Sequence, residues 1–362
     1  MTAHRIVHVV TELPRAGMEV VIASLVRWQQ RTGLAPVVVL SVRGGAIADE
    51  LRDAGIEVVE AFGPPLRPWT CPAPLTSALR RLAPTVVHLH GSAWLQHARA
   101  ARRALPSARV LYTMHGLHEP ERTADRLVQE GGAMLTDDAV FVSEGLGDVY
   151  RSRLVAARRM RRHVVLNGSD AFERPWKPWQ SEPGAPLVLG HLGRLVPVKR
   201  QEDMIEATAL LRAQGRDVVL RIGGAGVLRS ALEARAAALG IGAVVEFLGE
   251  TSGSAAFLSE IDIFLLVSDS EGTSMSLLEA VAAARPVVAT AVGGTPAVLR
   301  AARDWLVAPR EPTAIARAVM AIADDPASSA RAAQVRADVA SRYSLDAMGI
   351  AYRRIYGMEA AG

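Results

Sequence analysis

The chain has 362 residues, 50% of them hydrophobic and 22% charged, with a formal net charge of +4. That length suits two domains better than one core, and the apolar content excludes a disordered chain. No apolar run approaches the roughly 20 residues of a membrane-spanning helix, and the single cysteine, Cys71, excludes an internal disulfide and cysteine-rich metal sites.

In chain order, the start "MTAHRIVHVVTELPRAG" reads as a first strand, not a signal peptide, so a cytoplasmic protein is expected. Short β-branched runs then alternate with longer Ala-, Leu- and Arg-rich segments of helical period. The first half offers "RIVHVV", "PVVVL", "IEVVEA", "TVVHLH", "RVLYTM" and "AVFVS" as strands. The stretch "RSRLVAARRMRRH" (151–163) reads as a basic helix, which could meet anionic lipid headgroups as a peripheral membrane contact. Basic residues are not interleaved with aromatic ones, so nucleic acid is not expected as a partner.

The segment "FERPWKPWQSEPGAP" (172–186), with four prolines and two tryptophans, reads as a linker between domains 1–171 and 187–344. The second half offers "LVLGHLG", "VVLRIGG", "VVEFLG", "IDIFLLVS", "PVVAT" and "WLVA" as strands. The pattern predicts an α/β fold: two Rossmann-like domains, each a doubly wound parallel sheet, with ligands beyond the carboxyl ends of their strands in a central cleft. A last helix over 345–362 carries Leu345, Met348, Ile350, Tyr352, Ile355 and Tyr356 as an apolar stripe that must pack against something, with the first domain as the expected place.

Only two of the 41 basic side chains are lysines, Lys177 and Lys199. Lys177 falls in the linker and needs no functional reading. Lys199 stands in "GRLVPVKRQ" (193–201), after a strand and where a helix begins. Cations there oppose the helix dipole by about 0.3 to 1 kcal/mol each, which an anionic ligand would offset. A compact ammonium can approach a single phosphate oxygen where a guanidinium would demand a bidentate partner. Arg194 and Lys199 are therefore candidate phosphate contacts.

The second informative stretch is "SDSEGTSMSLLEAVAAARPVVAT" (268–290). A strand ends at Ser268, and a helix starts near Thr273 or Ser274. Glu271 before it and Glu279 within it could both reach one ligand, while N–H groups from Ser274 to Leu277 face its phosphates. Carboxylates accept well from paired hydroxyls, as on a sugar or ribose.

"GRLVPVKR" followed about 70 residues later by "EGTSMSLLEA" resembles the GR-x4-K and E-x7-E signature of retaining glycosyltransferases of the GT-B fold, family four (glycosyl transferases group 1). "AGMEVV", "VVHLHG", "YTMHG", "VSEGL", "VLNGSD", "IGGAG", "FLGE" and "VGGTPAVL" are similar to the family's usual stretches in order and spacing. The resemblance implies a nucleotide-diphosphate sugar as co-substrate, with no metal or other cofactor, and a sugar, lipid-linked or small-molecule acceptor. It implies that Arg194 and Lys199 hold the donor diphosphate with the backbone of Ser276 and Leu277, and that Gly193 and Gly272 also belong to the donor site. Glu271 would face the transferred sugar, Glu279 the ribose, and Gly224 a turn beside the base. His115 would be the active-site histidine of the first domain, with Gly17 bordering phosphate and acceptor. Ala16 stands where many relatives have a second glycine.

Histidines 88, 90, 115, 118 and 191 could imitate a metal cluster, but "TDD" (136–138) precedes a strand rather than following one, and no D-x-D follows one. "IGGAG" lacks the full G-x-G-x-x-G order of a dinucleotide site. Two alternatives stay open: a GT-B epimerase or phosphorylase, and a non-catalytic sugar-nucleotide-binding subunit.

Overall fold

A computed structural model describes residues 5–14, 17–63, 67, 69–116, 123–180, 184–251 and 253–358. The chain divides into two compact units, residues 1–168 with 345–362, and residues 169–344.

The first unit holds a parallel sheet of β1 (Ile6–Val10), β2 (Pro36–Leu40), β3 (Glu57–Glu60), β4 (Val86–His90), β5 (Arg109–Met114), β6 (Asp138–Phe141) and β7 (Arg161–Val164). Its order is β3-β2-β1-β4-β5-β6-β7. Strands β1, β2 and β4 are buried at every residue, as befits near-continuous apolar runs in a sheet covered on both faces. The second unit holds β8 (Leu187–Leu192), β9 (Val218–Gly223), β10 (Val245–Gly249), β11 (Ile263–Leu266), β12 (Val287–Thr290) and β13 (Leu306–Val307), in the order β10-β9-β8-β11-β12-β13. All six strands expected in this half are present and parallel.

Strand β7 corrects the reading of 151–163 as one basic helix. The helix Glu144–Arg153 ends first, a 3-10 turn covers Ala156–Arg158, and the chain then enters the sheet. Of the charged groups of 151–163, Arg162 turns to Asp148, Arg151, Arg153, Arg158 and Arg159 stay exposed, and Arg161 and His163 are met by Asp138 at the start of β6. Its fully buried side chain accepts from Arg109, Arg161 and His163 at 2.7 to 2.9 Å. Burial alone would raise this carboxyl, but the bonds from Arg109, His163 and Arg161 hold it far below the usual range. The single basic helix expected over 151–163 is thus not formed, and no helix among the described residues is long and apolar enough to cross a membrane.

The expected linker is also revised. Trp179 is buried and donates from Nε1 to Asp262 at 2.9 Å. Arg336 donates to the Phe172 carbonyl and lies over the rings of Phe172 and Trp176. Apolar and indole surface thus ties the segment to the second unit, apart from residues 181–183, which lie outside the described residues.

The last helix, Leu345–Ile355, packs on the helix Gly17–Arg31 of the first unit. Leu345, Met348, Tyr352, Ile355 and Tyr356 are buried, whereas Ile350 falls off the i, i+3, i+4 stripe and is exposed. Trp28 donates from Nε1 to Asp346 at 2.7 Å, and its ring lies flat against Gly349. Tyr352 and Tyr356 reach into a polar seam through the sheet. His88 bonds Tyr356 at 2.8 Å and Thr113 at 2.7 Å; Thr113 in turn bonds Tyr352 at 3.0 Å. His8 bonds Gln29 at 2.9 Å and His90 at 3.1 Å.

Two measurements check this packing. Exchanging glycine for alanine inside a helix ordinarily adds about 1 kcal/mol. A Cβ at Gly349 would instead stand 2.2 Å from Trp28 Cδ2, so Gly349→Ala is expected to cost roughly 1 to 3 kcal/mol and lower Tm. The second concerns pH. Burial brings His8 down to about 4 against a weaker upward pull from Gln29, and brings His97 down to about 3. Burial and mutual repulsion hold His88 and His90 well below the ordinary value. The unfolded chain therefore binds more protons once pH falls below about 6.5, and stability is lost in that direction by up to roughly 1.4 kcal/mol per pH unit for each group. Tm is expected to fall between pH 7 and 5; a flat profile would contradict the neutral, buried seam.

Candidate functional site

In the second unit the chain runs from β8 outward to β9 and β10, then returns to β11 on the other side of β8. The loops after β8 and β11 therefore leave neighbouring strands in opposite directions, which opens a crevice at their carboxyl ends. Arg194 and Lys199 lie on the first loop and Glu271 on the second. The structure brings two of them together: Lys199 Nζ donates to Glu271 Oε1 at 2.6 Å. The side chains are only 18% and 7% exposed, so the pair is largely removed from water. Ser268 Oγ donates to the same carboxylate oxygen at 2.6 Å. A further tie across the crevice runs from Asp269 N to the Val198 carbonyl at 2.8 Å.

Arg200 opens the helix Gln201–Ala213 in the left-handed region at φ 43. Its guanidinium bonds Asp203 and pairs with Glu202. Acidic groups of the first helical turn thus answer this cation from within the chain. Arg194 is exposed and has no ion pair with a described residue. Its carbonyl accepts from Gln201 Nε2 at 2.8 Å, and His191 Nδ1 donates to the Leu265 carbonyl at 2.9 Å. His191, brought by burial to about 4, is a neutral strut of this loop.

The glycines of the two motifs serve the same loops. Gly224, at φ 131, would put a Cβ 2.0 Å from the Gly193 carbonyl oxygen, and Gly226 one 2.3 Å from that of Leu195. Gly193 and Leu195 donate backbone N–H groups to Gly223 and Ala225. Gly293, at φ 54, would put a Cβ 1.7 Å from the Glu271 carbonyl oxygen. Backbone packed this closely admits no side chain.

The helix Met275–Ala282 starts on Ser274, whose Oγ accepts from Leu277 N at 3.4 Å and lies 3.1 Å from Ser276 Oγ. The Leu277 N–H expected to face phosphate is therefore met by the cap, and the Leu277 side chain is in the core. Gly272 is exposed at the loop tip. Glu279 does not share the Lys199 cluster. It lines a cavity of about 530 Å³ with Ala171, Arg174, Trp176, Lys177, Ser254 and Arg285 among others. Burial pushes its carboxyl up, opposed by a bond from Ser254 and by Arg174. Lys177, dismissed from sequence, lines that same cavity.

In the first unit, His115 follows β5, and its Nε2 lies 3.2 Å from His90 Nδ1. It thereby joins the His8–His90 seam. Gly17 opens its helix with no atom within 4 Å of an added Cβ. Ala16 and His118 lie outside the described residues. One nitrogen from each of His8, His88 and His90 lies within 4.8 Å of the other two, and both nitrogens of His8 and of His88 already hold hydrogen bonds. Sequence reasoning missed His8 and Gln29; the signal was His8 in "IVHVV" on the same sheet face as its β4 partner His88. Asp137 and Asp138 stand at the amino end of β6, away from the carboxyl edge.

The family model "Glycosyltransferase Family 4" matches residues 15–171, and "Glycosyl transferases group 1" matches residues 174–337. A 2-deoxystreptamine glucosyltransferase of Streptomyces kanamyceticus is 28% identical over 67% of this chain and 68% of its own length. A D-inositol 3-phosphate glycosyltransferase of Streptomyces avermitilis is 32% identical over 45% of this chain and 38% of its own. Anabaena HepE, solved with UDP, superposes with a TM-score of 0.81 at 19% identity, covering 98% of this chain and 100% of that one. With residues 15–171 and 174–337 matched by the two models, and each unit built on a parallel sheet, the chain belongs to the group 1 glycosyltransferases of the GT-B fold.

Proposed function

We propose that this protein is a retaining, metal-independent glycosyltransferase that moves a sugar from a nucleoside-diphosphate sugar to an acceptor hydroxyl in polysaccharide, glycolipid or glycoconjugate synthesis. The observation that carries this reading is the Lys199–Glu271 pair at the β8/β11 crevice, with the exposed Arg194 on the same loop. An ammonium held by a glutamate is poised to exchange part of that contact for a diphosphate oxygen, while Arg194 supplies a second cation. Both oppose the negative charge that grows on the leaving diphosphate, and the start of the helix Met275–Ala282 adds its dipole. These groups stand where a metal ion would otherwise neutralise charge. Glu271 is assigned to the transferred sugar's hydroxyls, Glu279 to the ribose and His115 to the reacting sugar.

In the proposed step the bond between the sugar's anomeric carbon and the diphosphate oxygen breaks. The acceptor oxygen bonds that carbon from the same face, and the acceptor's proton passes to the departing phosphate oxygen. No nucleophilic carboxylate is required, so the paired-carboxylate geometry of glycoside hydrolases does not apply. The binding of UDP and UDP-glucose by Anabaena HepE supports a donor of this class, as do the glycosyltransferase names of the relatives.

A panel of nucleotide sugars scored by thermal stabilisation and slow hydrolysis tests this reading. One donor is expected to raise Tm and to be hydrolysed. Lys199→Ala should weaken its binding by roughly 100-fold and abolish turnover, and unchanged stabilisation in that variant would refute the assignment. Glu271→Gln, which keeps the Ser268 contact, is expected to lower turnover more than affinity. Tight binding with neither transfer nor hydrolysis would mark a non-catalytic sugar-nucleotide-binding protein instead.

A further inference from the structure

The histidine seam of the first unit ends at a residue the proposed chemistry uses, and its hydrogen bonds impose a direction on the protons. Gln29 turns its amide nitrogen to Tyr356 OH at 3.3 Å and its amide oxygen to His8 Nε2 at 2.9 Å. A carbonyl oxygen only accepts, so His8 carries its proton on Nε2, and its Nδ1 is a lone pair. His90 Nε2, 3.1 Å from that lone pair, must donate to it. His90 Nδ1 is then a lone pair in turn, and His115 Nε2 donates to it across 3.2 Å. The second branch is compatible with this: Tyr356 OH accepts from Gln29 and keeps a proton for His88 Nδ1, which leaves His88 Nε2 to donate to Thr113 Oγ1. His8, Gln29, His88 and His90 are buried to 1% exposure or less, so no bulk water competes for these bonds.

We infer that Gln29, His8 and His90 are positioning residues that hold His115 neutral with its proton on Nε2, so that its Nδ1 can only accept a hydrogen bond. This rests on the proposal that His115 acts on the reacting sugar. A nitrogen that only accepts suits a sugar hydroxyl and repels a phosphate oxygen, so the relay assigns His115 to hydroxyl recognition rather than to charge neutralisation. The imidazole that orients another by a hydrogen bond to its far nitrogen has the same role as the outer partners of metal-bound histidines.

The test uses the full chain with 15N-labelled histidine at pH 7.5, where nitrogen shifts distinguish the two neutral tautomers. His8, His90 and His115 are all expected as Nε2–H. A proton on Nδ1 in any of the three would overturn the relay. So would zinc titration that shifts the His8 and His90 nitrogens at stoichiometric metal, since the seam would then be a metal site. His8→Leu removes the acceptor of His90, and should mix the His115 tautomers and lower kcat at least tenfold with donor KM changed less than twofold. His8→Asn, whose Oδ1 replaces Nδ1 as acceptor, should restore both. An unchanged His115 signal and kcat in His8→Leu would also overturn it. If the wild-type protein transferred no sugar, the functional proposal would fail while the tautomer spectrum still decided the relay.

Discussion

Parallel strands cannot be joined by tight turns, and their crossovers share one hand, so each sheet is wound outward from its middle in two directions. In the second unit this makes β8 and β11 hydrogen-bonded neighbours although 70 residues of chain separate Leu192 from Ile263. Their loops part at the carboxyl edge, and the Lys199–Glu271 contact spans the gap. The glycines around the two loops keep its walls still.

The walls are held by backbone rather than by side chains. Gly224 and Gly226 bring the loop after β9 against the one after β8, and Gly293 brings the loop after β12 against Glu271. A buried ion pair contributes little net stability because desolvation offsets attraction. Its value here is positional: the pair keeps Glu271 and Lys199 oriented, and the close-packed loops limit how far either can move. Arg310, paired with Asp269, and Asp203, paired with Arg200, fix neighbouring charges in the same way. Arg194 is left as the exposed cation of the loop.

The first unit is organised differently. Its sheet carries imidazoles and hydroxyls through an otherwise apolar interior, and the last helix of the chain supplies Tyr352 and Tyr356 to complete their bonds. His8, His88 and His90 stay neutral because burial penalises charge and their ring nitrogens have neutral partners. The helix is seated by Trp28 against Gly349 and by Asp346 on the indole nitrogen. A residue near the end of the chain thus determines the surroundings of histidines on β1 and β4.

Periodicity and motif spacing alone determined the fold class, twelve of the thirteen strands among the described residues, and the residues of the β8 and β11 loops, because strand runs and GR-x4-K and E-x7-E are local patterns. Strand β7 was illegible because its arginines read as a basic helix, and the partners that seat them, Asp138 for Arg161 and Asp148 for Arg162, lie 23 and 14 residues away in the chain. The 172–186 segment read as a linker because nothing in its prolines reveals that Trp179 finds Asp262. Residue pairing was beyond sequence for the same reason. That Lys199 meets Glu271 while Glu279 lines a separate cavity, and that His8 joins His115 through His90, depends on which strands become neighbours, and sheet order is decided only when the whole chain has folded.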